Sequence, residues 1–180
     1  MNLDELALKY GTDKGPQSHH YTEQYEELFS EMRDRHLKIL EIGVLAGASV
    51  KMWRDYFPNA QVVGIDINLQ LEGSERLKIL QCDAASAGAL VSMAEREGLF
   101  DIVIDDGSHA HVHHMTAFYS LFPFYMKRRG MYFIEDLHGD HPTKHYLKKL
   151  ELEGADTRLI GVQSIEFMHV DNLVLMRKVP

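Results

Sequence analysis

The feature that most constrains this 180-residue chain is a repeated sequence unit in which a short apolar run ends in an acid or a glycine and a helix-period segment follows. Leu37 to Ile42 ends at Gly43, Gln61 to Ile67 contains Asp66, and Leu77 to Gln81 is followed by Asp83. Phe100 to Ile104 runs into Asp105-Asp106-Gly107, and Met131 to Ile134 into Glu135-Asp136. Between these runs lie helix-period stretches at Ala48 to Phe57, Ser86 to Glu97 and His111 to Phe122. Strands that alternate with helices and are apolar on both sides belong in a parallel sheet covered on both faces by right-handed crossovers. Leu3 to Lys9, a segment beginning near Thr22 as its cap, and Pro142 to Leu150 read as further helices. Ile165 to His169 and Asn172 to Met176 flank a hairpin turn at Val170-Asp171, which predicts an antiparallel C-terminal edge. The expected fold is therefore α/β, doubly wound and Rossmann-like, with a mostly parallel seven-stranded sheet and helices on both faces. It forms one compact domain, with residues 1–36 as an N-terminal helical or lid segment and residues 37–180 as the core.

Composition narrows the function. Hydrophobic residues make up 45% of the chain, enough for a real core, and the single cysteine, Cys82, cannot form an internal disulfide. The formal charge of −8 argues against nucleic acid as partner. No apolar stretch is long enough to span a bilayer, and Met1 to Glu5 has no basic lead into an apolar run. No membrane association is expected, and a cytoplasmic location is.

In an open α/β sheet, ligands bind beyond the carboxyl ends of the strands, where strand order reverses. Acids and glycines occupy that edge in this sequence. Gly43 and Gly47 mark a strand-to-helix turn where backbone can approach a ligand and unpaired N–H groups point outward. Asp66 at the end of the second strand can accept hydrogen bonds from both hydroxyls of an adenosine ribose. Asp83 on the next loop can meet the adenine amine, and Asp105 borders the same region. The bland alternative is a tight turn with cap carboxylates. A dinucleotide would call for a third glycine; the stretch Glu41-Ile42-Gly43-Val44-Leu45-Ala46-Gly47 instead offers an acid, Glu41, to a positively charged cofactor. That favours S-adenosylmethionine and leaves NAD open.

Asp106, Glu135 and Asp136 end what should be adjacent strands. Three converging carboxylates repel one another unless neutralised, and all-oxygen ligation points to Mg²⁺; exposed turn acids that never meet are the alternative. His109, three residues past Asp106, can serve as general base or be a solvated helix-start histidine. His109 and His113, one helical turn apart, could with Asp106 form a zinc site, although their order lacks a familiar ligand spacing. Tyr10-Gly11-Thr12-Asp13-Lys14 and His19-His20-Tyr21 form a polar N-terminal patch that reads as a lid or as surface loop. Trp53, Phe57, Met115, Phe118 and Phe122 are core or interface positions.

These motifs together resemble the class I S-adenosylmethionine-dependent methyltransferases, and among them the macrocin and mycinamicin sugar O-methyltransferases. The likeness runs through Tyr10 to Lys14, Tyr21 to Tyr25, Leu40 to Val44, Met52 to Pro58, Val63 to Ile67, Ile104 to His109 and Glu135-Asp136. The resemblance implies that Glu41, Gly43 and Asp66 bind the cofactor and that Asp106, Glu135 and Asp136 hold magnesium. It also implies His109 as base, with Tyr10, Thr12 and Lys14 in the cofactor or substrate enclosure. The reaction would be methylation of one hydroxyl of a vicinal pair on a sugar or similar polyol. A catechol acceptor, an NAD-dependent oxidoreductase and a non-catalytic cofactor-binding protein are the alternatives. Larger members of that group carry an additional N-terminal domain that these residues do not contain, and a homo-oligomer is expected to complete a shallow acceptor site.

Overall fold

The structure, a computed structural model, describes residues 1–152, 164–170 and 172–179. Five strands form the parallel part of the sheet: β1 (Lys38–Ile42), β2 (Gln61–Asp66), β3 (Leu77–Gln81), β4 (Phe100–Asp105) and β5 (Met126–Ile134). Two more, β6 (Ser164–Val170) and β7 (Leu173–Val179), pair antiparallel and close one edge against β5. The order is β3-β2-β1-β4-β5-β7-β6, so the chain reverses direction across the sheet between β1 and β4. The hairpin is present as expected; Asp171, half of the expected turn, lies outside the described residues.

Alternation along each strand divides the core in two. Ile39, Val62, Ile102, Ile104 and Phe133 face one side, with Trp53 and Tyr56 of α3 (Ala48–Tyr56). Leu40, Val63, Val103, Tyr132 and Ile134 face the other, under α4 (Ala87–Glu97), α5 (His111–Tyr125) and α6 (Pro142–Leu152). Period-two strands with both faces apolar are what a helix layer on each side requires. Phe118, Phe122 and Met115 pack on the second face as expected.

The N-terminal helices α1 (Leu3–Tyr10) and α2 (Tyr21–Phe29) complete the first face. Leu3, Leu6, Tyr25 and Phe29 are buried in the same cluster as Trp53 and Phe133, so residues 1–36 pack as part of the core. An Asn2 capping box and Gly11 in the left-handed region delimit α1. Thr22 does not cap α2. That helix starts one residue earlier, after His20 at φ 59°, and the Thr22 hydroxyl donates to Asp4 Oδ1 at 2.5 Å. β5 begins at Met126 rather than Met131, because Met126 pairs with Phe100 before the register shifts. Among the described residues no helix is long and apolar enough to cross a membrane.

Candidate active site at the carboxyl edge of the sheet

The turn after β1 is fixed by backbone geometry. Gly43 sits at φ 89°, and a Cβ there would lie 2.1 Å from the Asp106 carbonyl oxygen, so only glycine lets the β1 and β4 ends meet this closely. Gly47 at φ 81° then starts α3. Asp66 at the end of β2 reaches across to this turn. Its Oδ2 accepts from the N–H groups of Val44 (2.9 Å) and Leu45 (3.0 Å), and its Oδ1 from Asn68 (2.9 Å). Burial works against its ionisation, but these backbone donors outweigh it and hold the carboxyl below the ordinary aspartate range. A cavity of about 290 Å³ opens here, lined by Gly43, Asp66, Asp83, Asp105, Ser108 and His113. Asp105 forms its deep wall, buried and paired with the Tyr132 hydroxyl at 3.2 Å. Burial pushes the Asp105 carboxyl up to about 7.

Asp105 and Asp106 are consecutive and serve opposite sides of the strand end. Asp106 turns toward the N-terminal helices, where the Lys14 ammonium contacts it and Glu135, with Glu41 Oε1 3.6 Å away. Lys14, Glu41 and Glu135 are each at most 1% exposed. Tyr25 donates to the other oxygen of Glu135. Burial pushes Glu41 up to about 7 and Glu135 up to about 8, in each case against the pull of Lys14. Burial lowers Lys14, but the three carboxylates overcome it and hold the ammonium charged. The cluster is a buried cation with three acids, and it stabilises only while every member is present.

On the open side stand Asp136 and His109, both in the left-handed region at φ 58° and 57°. Strain of this kind persists where the surroundings over-determine it. Tyr21 donates to Asp136 Oδ1 (2.9 Å), and His109 Nε2 faces Asp136 Oδ2 at 3.7 Å. Asp106, His109 and Asp136 each place a donor atom within 4.8 Å of the others. His141 locks the loop from behind. The Thr143 N–H donates to its Nδ1 (3.2 Å), which fixes the proton on Nε2, and that nitrogen donates to the His109 carbonyl at 2.9 Å. The Thr143 hydroxyl joins His111 and His114 at 3.0 and 3.1 Å, anchoring the start of α5 to that of α6.

The fold thus brings Gly43, Asp66, Asp83 and Asp105 around one cavity and Asp106, His109 and Asp136 beside it. It revises the expected carboxylate triad, because both Glu135 oxygens are engaged by Lys14 and Tyr25. Lys14 and Glu41 belong to that buried cluster and do not line the cavity. The Tyr10 hydroxyl turns to Asp55 and Arg54 on α3, and Thr12 is half-buried, accepting a long bond from the Lys14 N–H. His113 binds Ser108 at 2.6 Å and joins no group of candidate metal ligands among the described residues. Tyr21 enters the sequence reading only as part of the polar N-terminal patch and Tyr25 only as part of the resemblance, and His138, His141 and Thr143 escape it. Tyr21 and Tyr25 are one helical turn apart and address consecutive acids, a spacing that could have flagged them. The run His141-Pro142-Thr143 is a helix start whose cap is an imidazole.

No family model matches the chain. It is 39% identical over 144 residues to mycinamicin VI 2''-O-methyltransferase of Micromonospora griseorubida, covering 76% of this chain and 36% of that protein. Demethylmacrocin O-methyltransferase of Streptomyces fradiae is 38% identical over the same shares. A Streptomyces olivaceus enzyme that 3'-O-methylates a rhamnosyl-tetracenomycin is 40% identical over 145 residues, 76% of this chain and 37% of its own length. The solved structure of the MycE methyltransferase from the mycinamycin pathway, in complex with Mg, SAH and mycinamycin VI, superposes with a TM-score of 0.89 at 30% identity. That likeness covers 99% of this chain and 55% of the other. The expected resemblance to sugar O-methyltransferases of natural-product pathways and the expected fold are both borne out. The chain spans a little over a third of the length of these curated relatives and about half of the solved chain.

Proposed function

We propose that this chain is a methyltransferase that moves a methyl group from S-adenosylmethionine to a hydroxyl, one of a vicinal pair on the sugar of a glycosylated natural product, with Mg²⁺ as cofactor. The observation that carries this reading is the juxtaposition at the β1/β4 crevice. A cavity bounded by Gly43, Asp66, Asp83 and Asp105 opens beside the convergent Asp106, His109 and Asp136, in a chain 39% identical to a sugar O-methyltransferase.

The donor set fits both cofactors. Asp66 and Asp83 offer carboxylates where an adenosine ribose and base would lie, and Gly43 lines the same cavity, whereas Gly47, expected beside it, faces the Leu71 side chain and is not part of the lining. Asp106 and Asp136 present hard oxygens to a cation at the open edge. Glu135, expected as a third ligand, joins them only if Lys14 releases its oxygen. When bound, the cation supplies positive charge that lowers the pKa of an accepting hydroxyl. His109 takes the hydroxyl proton at Nε2, the nitrogen facing Asp136, and His141 and Thr143 hold it in position to do so. Lys14 acts through Asp106, with whose carboxylate it pairs, and Glu41 stands 3.6 Å from the same ammonium as a further counter-charge. Tyr10 and Thr12 border the N-terminal turn that carries Lys14. Positioning and electrostatics contribute most of the acceleration, since the methyl donor arrives activated.

The His109 side chain is 40% exposed, so the acceptor side is open, and a homo-oligomer whose second copy covers it belongs to the proposal, as does a cytoplasmic location. The test is titration calorimetry with S-adenosylmethionine and, in a parallel arm, NAD, followed by a methyl-transfer assay on rhamnosylated and catechol acceptors with and without EDTA. Saturable methyl-donor binding, transfer to the sugar that EDTA abolishes, and a drop of about 100-fold or more in turnover for His109→Ala are the expected results. NAD binding without methyl-donor binding would overturn the assignment, and transfer confined to the catechol would overturn the sugar.

A further inference from the structure

Asp136 uses its two oxygens differently. Oδ2 faces His109 and the crevice, whereas Oδ1 faces His138 Nε2 at 3.5 Å and His19 Nε2 at 4.0 Å. The donor atoms of His19, Asp136 and His138 all lie within 4.8 Å of one another. We propose that these three residues form a second cation site, for a borderline divalent transition metal such as Zn²⁺ or Co²⁺, sharing the Asp136 carboxylate with the Mg²⁺ proposed at Asp106.

Geometry and ligand chemistry argue for it. A tetrahedral ion with nitrogen and oxygen ligands at about 2.0–2.1 Å places those ligands roughly 3.4 Å apart. The observed separations to Asp136 require closure of a few tenths of an ångström, within the reach of side-chain rotation. His19 is already oriented. Its ring stacks on Tyr21 (centroids 5.3 Å, planes 16° apart), and the Tyr21 hydroxyl donates to the same Asp136 oxygen. Asp13 Oδ2, 3.9 Å from His19 Nε2, is a further oxygen at the outer edge. Among the described residues, Asp136 pairs with imidazoles, which become metal ligands when neutral, rather than with lysine or arginine. Two imidazoles with one carboxylate select zinc-like ions over magnesium, which prefers all-oxygen shells, so neighbouring sites can hold different metals. A cation here would tie the turn before α2 to the loop after β5 and fix the direction of Asp136. The site does not depend on methyl transfer, because its ligands need no organic cofactor.

Chelator-stripped, untagged protein dialysed against Co²⁺ in a large excess of Mg²⁺ tests the site, read by elemental analysis and by visible absorption. One Co²⁺ per chain that Mg²⁺ does not displace is expected. It should be lost in H19A/H138A and retained in H145A, which removes an exposed histidine elsewhere. Either single variant should weaken Co²⁺ binding by about tenfold or more, since even residues that only support metal ligands cost that much. Far-UV circular dichroism establishes folding; should the double variant unfold, His138→Gln, at an exposed position, supplies the comparison. Absence of Mg²⁺-resistant Co²⁺ in the folded wild type, or its persistence unchanged in the folded histidine variants, would overturn the proposal.

Discussion

Replacing Lys14 with Met removes the cation that, among the described residues, neutralises the buried acid cluster, while keeping most of the side-chain volume. Glu41 and Glu135 are then enclosed without a counter-charge. Deleting one member of a buried ion pair costs about 3–5 kcal/mol. A second route to the magnitude is the cost of protonating a stranded carboxyl. At pH 8, about 3.5 pH units above the ordinary glutamate value of 4.5, that cost is about 4.8 kcal/mol per group. At pH 5.5 it falls to about 1.4 kcal/mol. The sign follows from the direction of the shifts. Glu41 and Glu135 titrate in the folded chain near 7 and 8, above their unfolded value, so the stability they contribute is complete below about pH 4.5 and lost as pH rises through 7 to 8. Lys14→Met raises both further and extends that loss. Urea denaturation of wild type and variant in EDTA should therefore show a difference of about 3–5 kcal/mol at pH 8 that shrinks to about 1–2 kcal/mol at pH 5.5. A difference below about 1 kcal/mol at pH 8, or one indifferent to pH, would refute the account of Lys14 as the counter-ion of this cluster.

Three further outcomes follow from the same geometry. Gly43→Ala forces a Cβ onto the Asp106 carbonyl at a positive φ and should cost about 2 kcal/mol or more, read as a lowered urea midpoint; a midpoint within error of wild type would show that the turn relaxes freely. Asp66→Asn swaps an ionised acceptor for a neutral amide and should weaken S-adenosylmethionine binding by about tenfold or more in calorimetry, since hydrogen bonds to a charged group contribute about 1.5–3 kcal/mol; unchanged affinity would move the ribose away from β2. His141→Ala frees the His109 carbonyl and should lower kcat with little change in KM, while His141→Asn, which can still accept from the Thr143 N–H, restores part of the rate. Equal losses from both variants would reduce His141 to a packing role.

The sheet and its ligand edge were legible because both rest on local rules. Apolar runs ending in Gly43, Asp66 and Asp106 announce strand ends, and Gly43 must be glycine for a reason its φ shows directly. What sequence spacing could not supply was the partner of each acid. Glu135 and Asp136 are neighbours in the chain yet face Lys14 and His109 respectively, because Asp136 adopts a left-handed conformation that redirects the backbone. Lys14 lies 121 residues from Glu135, and no periodicity links them. The early start of β5 was hidden by Lys127, Arg128 and Arg129, whose charge reads as loop although the first turn of the strand already pairs with Phe100. Thr22 looked like a cap because its residue type fits one, but its hydroxyl is spent on Asp4.

The Lys14 cluster also bears on the order in which the chain is made. Lys14 and Glu41 leave the ribosome before Glu135 and the Phe133 ring that packs on Tyr25, which arrive some hundred residues later. Until β5 emerges, α1 and α2 can pack on α3 but lack Phe133, and the cation lacks one of the two acids it contacts directly. Contacts of such long sequence separation pay loop-closure entropy before they return any stability, so they form late and slow the whole transition. The contacts of the N-terminal helices with β5 therefore form after those they make with α3 and β1.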